Sequence, residues 1–266
     1  MSWLQLSIYL AKGLVYFIFF LIGITCFSFL NVVIYRLPLK MKFTFGHSKC
    51  TSCGHQLAPK DLVPIASWVS LKGKCRYCGE KISARYTWVE LLGGCSAVLC
   101  TAYFGINLQA LTAFLVLAVL TVITFIDMDC MRIPFELNVV LFGLGILSIF
   151  TMNDVTIWER VIGMICVSVP LYLIIWIIPD GFGGGDIKLM FAAGFLLGWK
   201  ATLVAFFIGL LLGGGYAIGS LAGRKKGKKE HFAFGPYLCI GIAIAMFVGN
   251  ILVDWYVHFV KAVFYN

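Results

Sequence analysis

The sequence predicts an all-α polytopic membrane protein with about eight transmembrane helices and a small polar insert after the first. Three observations carry this. Of the 266 residues, 61% are hydrophobic and 12% charged, where soluble domains carry roughly 25% charge. Several apolar stretches reach the roughly 20 residues that a helix needs to cross hydrocarbon. Runs such as Phe17-Ile18-Phe19-Phe20-Leu21-Ile22 lack the alternation of apolar and polar residues that a closed β-barrel requires.

The first apolar stretch covers residues 13–35. It is too long for a removable signal peptide and no small-residue cleavage site follows it, so it reads as the first membrane helix. A polar stretch follows at 36–86, and apolar segments then recur near 87–105, 109–127, 135–151, 159–178, 187–199, 201–222 and 233–260. The expected domains are therefore a first helix at 1–35, a polar domain at 36–86 and a seven-segment membrane domain at 87–266. Segment 187–199 is short, about 20 Å as helix against a hydrocarbon core of about 30 Å. It reads either as a half-helix lining a cavity or as a tilted helix continuing into Lys200.

The formal net charge is +9. Ten of the 21 Lys and Arg lie between Arg36 and Arg85, and five more lie in Arg224-Lys225-Lys226-Gly227-Lys228-Lys229. The positive-inside rule places both stretches in the cytoplasm. Eight segments starting outside put 36–86, 128–134, 179–186 and 223–232 inside, and these with Lys188 hold 17 of the 21 basic residues. The charge is thus a topology signal with some attraction to anionic lipid. The expected partner is the bilayer, not nucleic acid.

Cys50-Thr51-Ser52-Cys53 and Cys75-Arg76-Tyr77-Cys78 form two C-x-x-C knuckles 21 residues apart, followed by Gly54 and Gly79. Four thiolates from two tight turns suit tetrahedral zinc, and the glycines suit the turns. The competing reading is two disulfides, which a reducing cytoplasm disfavours. Zinc on Cys50, Cys53, Cys75 and Cys78 would be structural, because four thiolates leave no open position. The other six cysteines fall in or beside apolar segments and are expected as small core residues.

Asp127 closes one apolar run and Asp186 closes Gly183-Gly184-Gly185. An acid at membrane depth is a functional-site hypothesis by default. The predicted topology brings both to one face. Two adjacent carboxylates share a proton across coupled titrations, so one can activate a water while the other polarises a carbonyl. The glycines would let a substrate backbone approach. The other readings are a proton relay, loop residues before Ile133-Pro134, or a helix cap at Asp186. Glu90 reads as a substrate or cofactor contact or an interhelical hydrogen bond. Lys188 either tunes Asp186 or snorkels. Asp129 and Asp180 read as interfacial, and the Gly213-Gly214-Gly215 run as helix packing.

These motifs resemble, in order and over nearly the whole chain, the bacterial type IV prepilin peptidases, the leader peptidases and N-methyltransferases of pili, type II secretion and competence pseudopili. Ser28-Phe29-Leu30-Asn31 with Arg36-Leu37-Pro38 is similar to the family's first-helix signature, and the paired knuckles follow in place. Ile82-Ser83-Ala84-Arg85-Tyr86 with Val89-Glu90-Leu91-Leu92 resembles the start of the second helix. Ile126-Asp127 with Ile133-Pro134, then Gly183-Gly184-Gly185-Asp186-Ile187-Lys188, match its two acid motifs, and Phe234-Gly235-Pro236-Tyr237 a late element. The resemblance implies a catalytic dyad of Asp127 and Asp186, with Glu90, Gly183, Gly184, Gly185 and Lys188 as candidate substrate contacts. It implies cleavage of prepilins or pseudopilins after a glycine at the cytoplasmic face of the inner membrane. It also implies methylation of the new N-terminus from S-adenosyl-L-methionine, for which no residue pattern marks a site. Phe27 departs from the family, which has glycine there, and puts close packing of the first helix in question. The rival readings are a proton-coupled transporter with a zinc-bearing domain and a presenilin-like intramembrane protease without methyltransferase activity.

Overall fold

The computed structural model describes residues 3–42, 48–152, 154–177, 183–222 and 233–264. Two stretches weighed above lie outside these residues: the basic run at 224–229 and Pro179-Asp180-Gly181-Phe182. The described residues form nine α-helices: α1 (Trp3–Arg36), α2 (Ala66–Ser70), α3 (Arg85–Phe104), α4 (Leu108–Cys130), α5 (Phe135–Thr151), α6 (Ile157–Cys166), α7 (Ser168–Ile177), α8 (Gly184–Ala222) and α9 (Gly235–Phe264). No β-strand occurs among them, only two isolated bridges. Six spans are long and apolar enough to cross a membrane, with α6 and α7 together forming one of them, and α5 is a shorter apolar helix. The chain divides into two compact units, Met1–Phe114 and Leu115–Asn266.

In the first unit α1 and α3 cross at glycines. A Cβ on Gly23 or Gly93 would be driven into the other's carbonyl oxygen, and one on Gly94 into the Phe20 ring. Lipid tails are as apolar as the helices, so association rests on this kind of close backbone approach. Phe27, the departure from the family pattern, is fully buried. Its ring lies where Gly93 has no side chain and meets Phe114 at 5.7 Å between centroids. The glycine missing from α1 is matched by one on α3, so close packing is kept.

In the second unit α6 gives way to α7 at Val167, where Pro170 cannot donate to the carbonyl four residues back. Thr156 and Glu159 form a capping box at the start of α6. α8 is a hairpin, broken at Gly198 (φ 74°, ψ 165°), a backbone conformation that suits glycine. Neighbours fix the direction of its legs. In the first leg Gly185 packs on Ile133, and later Phe195 and Leu196 pack on Gly145. In the second, Ala201 packs on Gly249, and later Gly213 packs on Phe234 and Tyr237. Since Gly235 also reaches Ile133, the beginning of the first leg and the end of the second share one end of the unit. Segment 187–199 is therefore a short leg of its own, with Leu189, Met190, Ala192, Ala193 and Leu196 buried, and all eight expected apolar segments are present. In the glycine run, Gly213 is a packing residue, while Gly214 and Gly215 face open space.

At the turn end sits a feature the sequence did not advertise. Arg160, 1% exposed, has no carboxylate within ion-pair distance among the described residues. Its guanidinium donates to Ser148 Oγ (2.6 Å) and to the carbonyls of Ser148, Met152, Phe195 and Leu196 (3.0–3.2 Å). These carbonyls lie at the ends of α5 and the first leg of α8, where the helix dipole is negative; that of Ser148 also accepts the Met152 N–H. Of the six remaining cysteines, only Cys100 and Cys239 are buried. Cys26, Cys95 and Cys130 are exposed, correcting their expected place in the core.

α6 and α8 meet closely enough that a Cβ on Gly163 or Gly194 would strike the other's carbonyl. Gly194→Ala should therefore lower the thermal midpoint of the detergent-solubilised protein by several degrees, about 1–3 kcal/mol of overpacking. Gly214→Ala, into open space, should leave the midpoint within about 0.5 kcal/mol of the parent.

Candidate active site

Asp127 lies in the last turn of α4 and Asp186 in the first turn of α8, 5% and 6% exposed. Both are at the end of the unit opposite Gly198. Asp127 Oδ2 accepts the N–H of Gly235, the first residue of α9, at 3.1 Å. Asp186 Oδ2 accepts the N–H of Gly183, just before α8, at 3.3 Å. Each acid thus sits at the positive end of a helix dipole, a contribution of about 0.3–1 kcal/mol. The capping expected of Asp186 is real, but α8 starts at Gly184, ahead of Ile187, and the carboxylate reaches back from the third helical position. Oδ1 of each acid has no hydrogen-bond partner among the described residues.

Ile133 sets the two acids side by side. A Cβ on Gly185 would stand 3.0 Å from Ile133 Cβ, and one on Gly235 would stand 3.2 Å from Ile133 Cδ1 and 2.6 Å from Asp127 Oδ2. Ile133 is thereby wedged between the residue preceding Asp186 and the residue holding Asp127. Gly183 and Gly184 are exposed, and none of the three glycines before Asp186 has a positive φ. Their use here is space rather than unusual backbone angles. Lys188 is exposed and its Nζ lies 5.3 Å above the Phe135 ring.

Sequence reasoning passed over Ile133 and Gly235 as single residues, although both lie in motifs it quoted. It also passed over Asn138, one turn into α5 and 4% exposed. Its only signal was an amide inside the apolar run Leu137-Asn138-Val139-Val140-Leu141.

The first unit holds the other two groups. The Sγ atoms of Cys50, Cys53, Cys75 and Cys78 all lie within 4.8 Å of one another. Cys50 and Cys78 are 3.9 Å apart, close to the edge of about 3.8 Å of a tetrahedron with Zn–S bonds of about 2.3 Å. The knuckles repeat one design. Cys50 N–H donates to the His55 carbonyl and Gly54 N–H to the Cys50 carbonyl; Cys75 and Gly79 do the same with Glu80 and Cys75. Gly54 and Gly79 have φ of 70° and 75°, the left-handed region that each turn requires. Backbone N–H groups of Cys53 and Ser52 aimed at Cys50 lower its thiol to about 6, toward the thiolate that zinc binds. These four residues fit a structural zinc ion. Asp61 braces the second knuckle by accepting from Arg76 Nε (2.7 Å) and the Tyr77 hydroxyl (2.9 Å). The Arg76 guanidinium holds its carboxyl below the usual carboxylate range.

Glu90, 8% exposed in α3, uses both oxygens. Oε1 accepts from Ser28 of α1 at 2.6 Å and Oε2 from the Ile65 N–H at 2.7 Å. Ile65 has φ 59° and ψ −53°, and the Ala66 N–H donates to the Pro64 carbonyl. This is the rare, strained form of γ-turn, held at a β-branched residue by the carboxylate. The interhelical hydrogen bond is therefore present, and it also ties the insert to α1 and α3.

Comparison with known proteins agrees with this architecture. The Bacterial Peptidase A24 N-terminal domain matches residues 21–104, and the Type IV leader peptidase family matches residues 114–218. A prepilin leader peptidase/N-methyltransferase of Aeromonas salmonicida is 32% identical, over 95% of this chain and 98% of its own. One of Burkholderia pseudomallei is 32% identical over 86% and 84%, and one of Bacillus subtilis 30% over 90% and 97%. No solved structure matches the chain. Similarity at this level across nearly the full length of two of these relatives places the chain in the type IV leader peptidase family, with the prepilin leader peptidase/N-methyltransferases.

Proposed function

We propose that the chain is a membrane aspartic endopeptidase that removes the leader of type IV prepilins or pseudopilins after a glycine and then N-methylates the new terminus. One observation supports the assignment of the chemistry above others. Two nearly buried carboxylates from different helices flank Ile133, each anchored through one oxygen by a backbone N–H and without a partner at the other among the described residues. In this reading Asp127 and Asp186 hold a water between their Oδ1 atoms. Close carboxylates share one proton, so the ionised acid takes a proton from the water as it attacks the scissile carbonyl. The other acid donates its proton to the carbonyl oxygen; the acid that took the water's proton then passes it to the amide nitrogen, the C–N bond breaks, and the amine leaves as one gem-diol hydroxyl returns its proton to the second acid. No covalent intermediate is needed, and the backbone donors hold both acids without consuming the reactive oxygens.

The protein is a multi-pass protein of the bacterial inner membrane. The basic insert and the aspartate end face the cytoplasm in this reading, as the charge distribution requires, where a membrane substrate presents its leader. Gly183 and Gly184 leave room for the substrate chain beside Asp186, with Lys188 at the rim. Zinc on Cys50, Cys53, Cys75 and Cys78 stabilises the insert and, with no open coordination position, takes no part in hydrolysis. Glu90 positions the insert, its oxygens already occupied. S-adenosyl-L-methionine supplies the methyl group; that half of the activity rests on family membership, and none of the residues described above is assigned to it.

Asp127→Asn and Asp186→Asn should each reduce leader cleavage of a prepilin by about 10²–10⁴-fold, the share of a positioned acid or base. Mass spectrometry of the pilin N-terminus reads cleavage, and an unchanged thermal midpoint reads folding; full processing by either variant overturns the dyad. Cys50→Ser with Cys53→Ser should take bound zinc from about one per chain to none by metal analysis. Methylation and thermal stability should fall further than cleavage does. Methylation undiminished without zinc would refute the insert's assigned role.

A further inference from the structure

Asn138 is buried, yet neither Nδ2 nor Oδ1 has a hydrogen-bond partner among the described residues. A carboxamide buried without partners is costly, and buried polar side chains are nearly always paired. At this position in a membrane helix Leu or Val would avoid that cost. The residue's place suggests what it pairs with. α5 runs parallel to the first leg of α8, with Ile133 beside Gly185 and Gly145 beside Phe195 and Leu196. Interpolation between these contacts sets Asn138 level with Leu189 and Met190. That is about one helical turn, roughly 5 Å, deeper than Asp186. The corresponding turns of α4 and α9 carry Thr124 and Cys239. Among the described residues, Asn138 alone has buried side-chain nitrogen and oxygen atoms without hydrogen-bond partners.

A peptide bond is accessible to a water between two carboxylates only where the substrate is not helical. Unwinding releases N–H and C=O groups, and on the membrane side of the cut these have no water to bind. An extended chain advances about 3.3 Å per residue, so a point one helical turn deeper lies at the second residue past the scissile bond. In an extended chain the N–H and C=O of one residue point to the same side, as in antiparallel pairing. A carboxamide matches that pair with one donor and one acceptor.

We propose that Asn138 is a substrate-binding residue that holds the main chain of the second residue on the carboxyl side of the cut, Nδ2 donating to its C=O and Oδ1 accepting its N–H. This rests on Asp127 and Asp186 being the catalytic pair. The contact reads backbone only, so it fixes the unwound conformation without selecting a side chain.

The test uses the full-length protein in nanodiscs and synthetic prepilin peptides. One peptide has its backbone N–H at the second residue replaced by an ester oxygen. Asn138→Leu should keep or raise the thermal midpoint while kcat/KM for the all-amide peptide falls roughly 10- to 100-fold, the worth of two neutral hydrogen bonds. The ester should slow the parent protein and have no further effect on Asn138→Leu, which a purely structural role would not produce. Parent-level cleavage by Asn138→Leu, or a parent protein indifferent to the ester, overturns the proposal. If Asn138→Leu fails to fold, the ester result with the parent protein decides alone. Asp186→Asn is assayed in parallel: normal cleavage there would sink the dyad itself. An inactive Asp186→Asn beside a fully active Asn138→Leu would sink only the role of Asn138.

Discussion

A carboxylate at the edge of hydrocarbon needs a donor, and among the described residues Asp127 has one, the backbone N–H of Gly235. Much of the site follows from this bond. It fixes the end of α4 to the start of α9, and Gly235 has no room for a side chain because Asp127 and Ile133 fill the space. Ile133 is then held in place and takes up the gap beside Gly185, which sets the first turn of α8 and with it Asp186. An acid, a glycine N–H and one aliphatic wedge thus locate a second acid on another helix.

The opposite end of the unit meets the same constraint with the charges reversed. There the groups are carbonyls at the ends of α5 and the first leg of α8, and Arg160 donates to them together. Between the two ends, glycine-on-carbonyl contacts hold the helices, since hydrocarbon provides no hydrophobic drive to bring them together. The short first leg of α8 is pinned at three levels, by Ile133, by Gly163 and Gly145, and by the Arg160 guanidinium. A helix of about 20 Å enclosed on these sides has no need to span the bilayer alone.

What could be read from the sequence was whatever depends on local composition or fixed spacing. The eight apolar segments and the C-x-x-C knuckles were legible because hydropathy and turn geometry are local properties. Asp127 and Asp186 were conspicuous because acids rarely follow apolar runs. The hairpin at Gly198 was not legible, since a glycine with positive φ looks like any other until its neighbours fix the direction of both legs. Phe27 looked like a threat to packing because Gly93, which makes room for it, lies 66 residues on. Gly235 and Asn138 were hidden for one reason: whether a polar group has a partner is a property of the assembled unit, not of the segment that carries it.

The difference between the acids of this chain lies in how many oxygens are spoken for. Glu90 has both engaged, by a hydroxyl and by the N–H of a strained turn, and a carboxylate so occupied can position but not react. Among the described residues Asp127 and Asp186 each have one oxygen engaged and one without a partner, the state that a water-activating pair needs, since an acid with no anchor would turn away and one with two would have no oxygen left for the water. The same accounting applies to the four cysteines: a zinc ion held by all four thiolates would have no open position, which in the proposed reading leaves hydrolysis to the carboxylates. An acid pair built this way needs its substrate unwound beside it, and an unwound peptide in hydrocarbon needs donors and acceptors as much as the acids do. A buried carboxamide one turn further in is the kind of group that requirement calls for.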